Sequence, residues 1–114
     1  MKYLVLYMAP AAGLEAWMKL DESVRKPQEE EMMKAWDAWM AEHGSMFKQT
    51  AGAGKTKRVT KGSVADVKND VMLYAIVEAE SQEMVAETFK DHPHFGIPDA
   101  WIDIMPVNYL LGME

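Results

Sequence analysis

The sequence predicts an α+β fold, with helices gathered on one face of a mostly antiparallel sheet in the split βαβ order of the ferredoxin-like motif. Three observations carry this. Residues 2–8 and 71–79 are dense in apolar, β-branched and aromatic residues and read as central strands. Two stretches with helical spacing, at 27–43 and 82–91, separate the strands. A last apolar strand, residues 100–107, follows a turn that carries Pro93. The order is strand, helices, a strand pair, strand, helix, strand, and 114 residues suit one domain.

In the first strand Tyr3, Val5 and Tyr7 share one face and Leu4, Leu6 and Met8 the other. Both faces are apolar, so the strand is expected to be covered on both sides. Ala9 to Gly13 breaks it, and residues 14–22 form a short helix on Leu14, Trp17 and Met18. The main helix is expected over 27–43: Pro27 suits its first turn, Glu29, Glu30 and Glu31 suit its positive end, and Gly44 a left-handed stop. Met32, Trp36, Trp39, Met40 and His43 share its inner face. Residues 45–50 read as a modest strand, 51–54 as a turn, 55–60 as a polar strand and 62–70 as loop. After the strand at 71–79, Ser81 caps a helix whose inner stripe is Met84, Val85, Thr88 and Phe89, and Pro93 ends it. In the closing strand Ile102 and Ile104 face one way and Trp101, Asp103 and Met105 the other. The tail from Asn108 to Glu114 carries Tyr109, Leu110 and Leu111, which is expected to dock.

Composition narrows the function classes. The chain has no cysteine, which removes disulfides, thiolate metal sites and cysteine nucleophiles and suits the cytoplasm. A net charge of -6 disfavours nucleic acid as a partner. The basic cluster Lys55, Lys57, Arg58 and Lys61 lacks interleaved aromatics and reads as a solvated strand and loop. No apolar run is long enough to span a membrane, and the opening apolar run reads as a buried strand rather than a signal peptide. Gly52-Ala-Gly-Lys-Thr56 imitates the end of a phosphate loop, but Gln49 stands where the first glycine belongs and no helix is expected after Thr56. No cofactor is expected.

The opening strand, the helix Glu31-Met-Met-Lys-Ala-Trp-Asp-Ala-Trp-Met-Ala-Glu-His-Gly44, the strand and helix Val71 to Lys90, and Asp91-His-Pro-His-Phe95 leading to Ile102-Asp-Ile-Met-Pro106 together resemble the YCII-related proteins, a superfamily that includes the DGPF-type proteins. The resemblance implies a ferredoxin-like dimeric α/β barrel with a cavity between sheet and helices. It also implies, for some relatives, lyase or dehydrochlorinase chemistry on small ring-cleavage products. The chain departs from the catalytic pattern: residues 27–35 hold no histidine, and Lys61-Gly-Ser-Val-Ala-Asp66 stands where the Asp-Gly-Pro-Phe signature would be.

The candidate site residues follow from side-chain chemistry. His92 and His94 can carry protons near neutrality, and Asp103, Asp91 or Asp99 can orient one of them. The alternative is that one histidine caps the helix end and the other packs on the turn. His43 is too distant in the chain to complete a metal site by spacing. Four tryptophans and 11 methionines suggest an adaptable pocket for a small apolar or aromatic molecule, with Trp36, Trp39, Met40, Tyr74 and Trp101 as candidate contacts. The same helical stripe is also what an ordinary core face looks like. The second sheet face is apolar, so the chain is expected to pair with a second copy, sheet to sheet. Three readings stay open: a small-molecule-binding homodimer of unproven activity, a lyase or isomerase with a histidine proton carrier, and a non-enzymatic interaction module.

Overall fold

A computed structural model describes residues 1–108. The elements are β1 (Lys2–Met8), α1 (Ala11–Met18), α2 (Glu22–His43), β2 (Phe47–Gly52), β3 (Thr56–Thr60), β4 (Ser63–Val67), β5 (Val71–Glu78), α3 (Gln82–Phe89) and β6 (Trp101–Pro106). Short 3-10 turns occupy Gly44–Met46 and Pro93–Gly96. The main sheet runs β2-β5-β1-β6, antiparallel throughout, which is the ferredoxin-like order. The two apolar strands hold its centre, as their composition predicts.

Register divides the sheet into two faces. Tyr3, Val5 and Tyr7 stand opposite Val77, Ala75 and Leu73 on one side and Pro106, Ile104 and Ile102 on the other. That face carries the helices. Tyr3, Val5, Tyr7, Ala75 and Val77 pack with Trp39 of α2 and with Val85 and Phe89 of α3. Leu4, Leu6 and Met8 lie on the opposite face, in register with Met105, Asp103 and Trp101. Tyr74 and Ile76 share that face, and among the described residues no helix covers it.

Helix α2 shows its sequence pattern in its second half. From Met32 to His43 the residues withdrawn from solvent are Met32, Trp36, Trp39, Met40 and His43, the expected stripe. The start differs from expectation. The helix begins at Glu22, where the Asp21 carbonyl accepts the Val24 and Arg25 N–H groups at 2.9 and 3.0 Å, and it carries Pro27 inside. Residues 22–31 have no buried side, so no stripe marked the earlier turn, and Pro27 drew the expected start to itself. Gly44 is likewise right-handed, at φ -62°, because the chain tightens into the 3-10 turn instead of reversing. The first short helix occupies 11–18 rather than 14–22, since Pro10 supplies an N-terminal stop earlier than Gly13.

Residues 62–70 are not all loop. Ser63–Val67 forms β4, paired with β3 in a separate two-stranded ribbon. The corner is Lys61-Gly62, and Gly62 takes φ 78°, a left-handed value that glycine meets without strain. The basic cluster sits on this solvated ribbon, where Lys57 pairs with Asp66 at 2.7 Å. The ribbon is anchored at its base: Lys68 pairs with Glu15 of α1, and Asn69 donates to Thr56 at 2.8 Å. Gly52 closes β2 and Thr56 opens β3, so no helix follows the glycines as a phosphate loop requires.

Ser81 caps α3 as expected, its hydroxyl accepting the Met84 N–H at 3.1 Å. The helix ends at Phe89, two residues short of expectation, and Pro93 opens the next turn instead of closing this helix. Val85 and Phe89 are buried and Thr88 half-buried, but Met84 is 44 % exposed and stands outside the inner stripe. The expected docking of Tyr109 to Leu111 lies outside the described residues.

The packing separates two positions that sequence spacing treats alike. Phe89→Ala is expected to lower stability by about 3–5 kcal/mol, as for a truncated core aromatic. Met84→Ala should change it by less than about 0.5 kcal/mol. Urea unfolding of both variants checks this, and equal losses would contradict the assignment.

Candidate functional site

The turn after α3 delivers both of its histidines to the interior. His92 is 1 % exposed and His94 fully buried. Pro93 between them fixes the backbone, and the His92 ring folds back so that Nδ1 accepts the His94 N–H at 2.9 Å. That acceptor role places the single proton of neutral His92 on Nε2, which meets the Tyr7 hydroxyl at 3.3 Å. The His94 Nε2 lies 2.8 Å from the Met8 carbonyl, which can only accept, so this nitrogen donates. The His94 Nδ1 is buried without a partner among the described residues, and so is the Trp39 Nε1. The two histidines thus tie the turn to the end of β1 by polar bonds from inside an apolar core.

Aromatic rings enclose His92. Trp36 and Trp39 approach it at centroid distances of 4.4 and 4.3 Å, Tyr7 at 5.0 Å, and Phe89 lies nearly parallel at 5.7 Å. Trp36 also stacks on Tyr7 at 5.5 Å. Burial is the main cause that lowers the His92 pKa, to about 4, with the neighbouring His94 adding to it and Asp91 opposing. Burial lowers His94 as well, opposed by its bond to the Met8 carbonyl and by the nearby Trp101 backbone, and burial raises the Tyr7 phenol. All three groups are therefore neutral at physiological pH.

A cleft of about 990 Å³ opens on the outer side of Trp36. Trp17 of α1 closes one end, and Gln28, Glu29, Glu31, Met32, Met33 and Trp36 of α2 form the wall. Leu73 of β5 and the turn residues Pro93, Gly96, Ile97 and Pro98 form the floor. Gly96 leaves room for Met32: a Cβ at this position would stand 3.0 Å from the methyl at the end of that flexible side chain, which would have to shift. Asp99, at φ 60°, then swings the chain into β6. The volume is that of a small-organic-molecule site, and the lining is largely apolar.

The sequence candidates fall into three places. His92 and His94 come together, with Tyr7 as a third member. Asp103 does not join them: it pairs with Leu6 on the opposite sheet face, where it accepts from the Trp101 indole at 3.3 Å. Of the candidate ligand contacts, Trp36 lines the cleft, Trp39 lies in the core and Met40 packs against it. Tyr74 and Trp101 lie on the helix-free face, where Tyr74 accepts from Gln49 at 2.5 Å. Tyr7 and Trp17 were not singled out by sequence reasoning. Tyr7 carried one signal, a phenol on the buried face of a central strand, which needs a polar partner. Among the described residues no three His, Cys, Asp or Glu side chains converge as a metal site would require, and no helix is long and apolar enough to cross a membrane.

No family model matches the chain, and no curated protein matches its sequence. Among solved structures the chain is similar to 5-chloro-2-hydroxyhydroquinone dehydrochlorinase (TftG) from Burkholderia phenoliruptrix AC1100, in complex with 2,5-dihydroxybenzoquinone. The TM-score is 0.58 at 11 % identity, and all of both chains is covered. At that identity the likeness is one of fold.

The buried histidines set a pH dependence with a definite sign. An unfolded histidine titrates near 6.5, whereas folded His92 titrates at about 4. Between those values the unfolded chain holds the proton that the folded chain excludes. Stability is therefore full above about pH 6.5 and falls as pH drops toward 4. His92 alone contributes a loss of about 2 kcal/mol at pH 5. The urea midpoint is expected to be level from pH 7 to 8 and clearly lower at pH 5. A midpoint that does not move between pH 7 and 5 would contradict neutral burial of these rings.

Proposed function

We propose that this chain is a homodimeric, YCII-like protein that binds a small aromatic or apolar molecule in the cleft between α2, the sheet and the 93–98 turn. The observation that carries the reading is the cleft itself: two indoles, two methionines and two prolines around a space of ligand size, resting on a rigid polar cluster. Trp36 is the contact point, since one face of it borders the cleft while it also packs on Tyr7 and His92. The fold neighbour's complex with a small quinone supports the same use of the architecture. A cytoplasmic setting fits a chain without cysteine.

Binding is favoured over catalysis by the histidines. Neutral His92 has one nitrogen protonated toward Tyr7 and the other occupied by the His94 N–H, so neither is a free base. Neither histidine borders the cleft. A proton-transfer role for His92 or His94 would require the ring pair to rearrange. The arrangement supports the cleft wall more directly than it supports chemistry.

The dimer reading rests on the uncovered sheet face and on dimensions. The chain exposes 8335 Å², against about 6300 Å² expected of a compact monomer of this mass. Its radius of gyration is 16.3 Å, where about 13 Å suits this length. The excess exceeds the roughly 800 Å² per partner that a stable interface hides. Leu4, Leu6, Met8, Ile76, Trp101 and Met105 supply an apolar centre for it.

Two measurements test these readings. In a titration followed by NMR, a bound aromatic molecule should move the indole N–H signals of Trp17 and Trp36 and leave that of Trp101 in place. Movement of Trp101 alone would move the site to the other face of the sheet. Sedimentation should show a dimer at micromolar concentration, and Trp101→Glu should weaken it at least about tenfold by placing a charge in an apolar interface. A monomer of the unmodified chain under those conditions would refute the dimer.

A further inference from the structure

We propose that the cleft selects aromatic molecules bearing a positive charge, such as a protonated amine, and disfavours aromatic carboxylates and other anions. This rests on the cleft being the binding site, and it adds the sign of the ligand. Among the described residues the only charged side chains that line the cleft are Glu29 and Glu31, with no lysine, arginine or histidine beside them. Arg25 pairs with Glu29 at 3.2 Å and moderates it, whereas Glu31 makes no ion pair among the described residues. The rest of the charge on the chain points the same way, at -6 overall.

The apolar walls reinforce that sign. Trp17 and Trp36 present indoles to the cleft, and the face of an indole attracts a cation. The sulfurs of Met32 and Met33 are polarisable and conform to a flat ring. An anion would find few donors: the Gln28 amide and the two indole N–H groups are the side-chain donors that the lining offers. A bound carboxylate would lose its water without a charged partner, which is costly. An ammonium group at the mouth keeps part of its water and gains Glu31, while the ring is buried against Trp36.

The test is a matched series on the unmodified full chain: 2-naphthylmethylamine, 2-naphthylmethanol and 2-naphthoate, titrated by calorimetry at pH 7.5 and low salt. The amine is expected to bind about five- to tenfold tighter than the alcohol, with the carboxylate weakest. Salt should narrow the gap. In a variant carrying Glu29→Gln and Glu31→Gln, both on the exposed helix surface, the amine should lose its preference over the alcohol measured on the same variant. Glu31→Lys should reverse the order of amine and carboxylate. If the alcohol binds but the amine is not preferred, or its preference survives the double variant, the charge selection is refuted and the cleft stands. If none of the three binds, the cleft reading falls and the selection with it.

Discussion

Two buried histidines must stay neutral and keep their donors bonded to the end of β1, and much of the architecture follows from that constraint. His94 can satisfy its donor inside the core only because the end of β1 presents the Met8 carbonyl at 2.8 Å. His92 can do so only because Tyr7, one residue earlier, points to the helix face. These bonds lock the turn after α3 to the central strand across more than eighty positions of sequence. Trp36, Trp39 and Phe89 then pack on the His92 ring, so α2 and α3 are positioned by the same group. Removing one partner would strand a buried polar atom, which is why the cluster behaves as a unit.

The sheet separates two tasks by the alternation of its side chains. Tyr7 and Ile102 share the helix face with the histidines, and Leu6 and Asp103 share the other. The helix face builds the interior and, beyond the edge of Trp36, the cleft. The opposite face remains a largely apolar surface that carries Asp103, held by the Trp101 indole, and the paired Lys2 and Glu78 toward one end. A flat molecule in the cleft and a partner on the sheet would therefore not compete for the same residues.

Much of this was legible in the residues, for stateable reasons. Strands β1, β5 and β6 announce themselves as short runs dense in apolar, β-branched and aromatic residues. The second half of α2 shows its stripe from Met32 to His43 because that half rests on the sheet. The opening turn of α2, residues 22–26, was missed because it has no buried side, and β4 was missed because an isolated solvated ribbon needs no apolar alternation. At the site, His92 and His94 were visible as the paired histidines of one turn. Their partner Tyr7 was not, since contacts that distant leave no local spacing to read. The parity of β6 did separate Asp103 from Ile102, and the structure shows what that separation means: a carboxylate close in sequence to the histidines lies across the sheet from them.

Trp36 stands between two parts of the molecule. It borders the cleft and also covers the ring of His92, whose proton is excluded only while the core stays closed. If the cleft holds a molecule as proposed, one resting on the outer face of Trp36 would brace the core from outside, and occupancy of the cleft would be linked to closure of the histidine cage. Linkage of this kind is reciprocal. Acidification that loosened the cage would weaken the grip on such an occupant by the same free energy with which the occupant would resist protonation. The chain would then release its cargo in acid without any titrating group touching it.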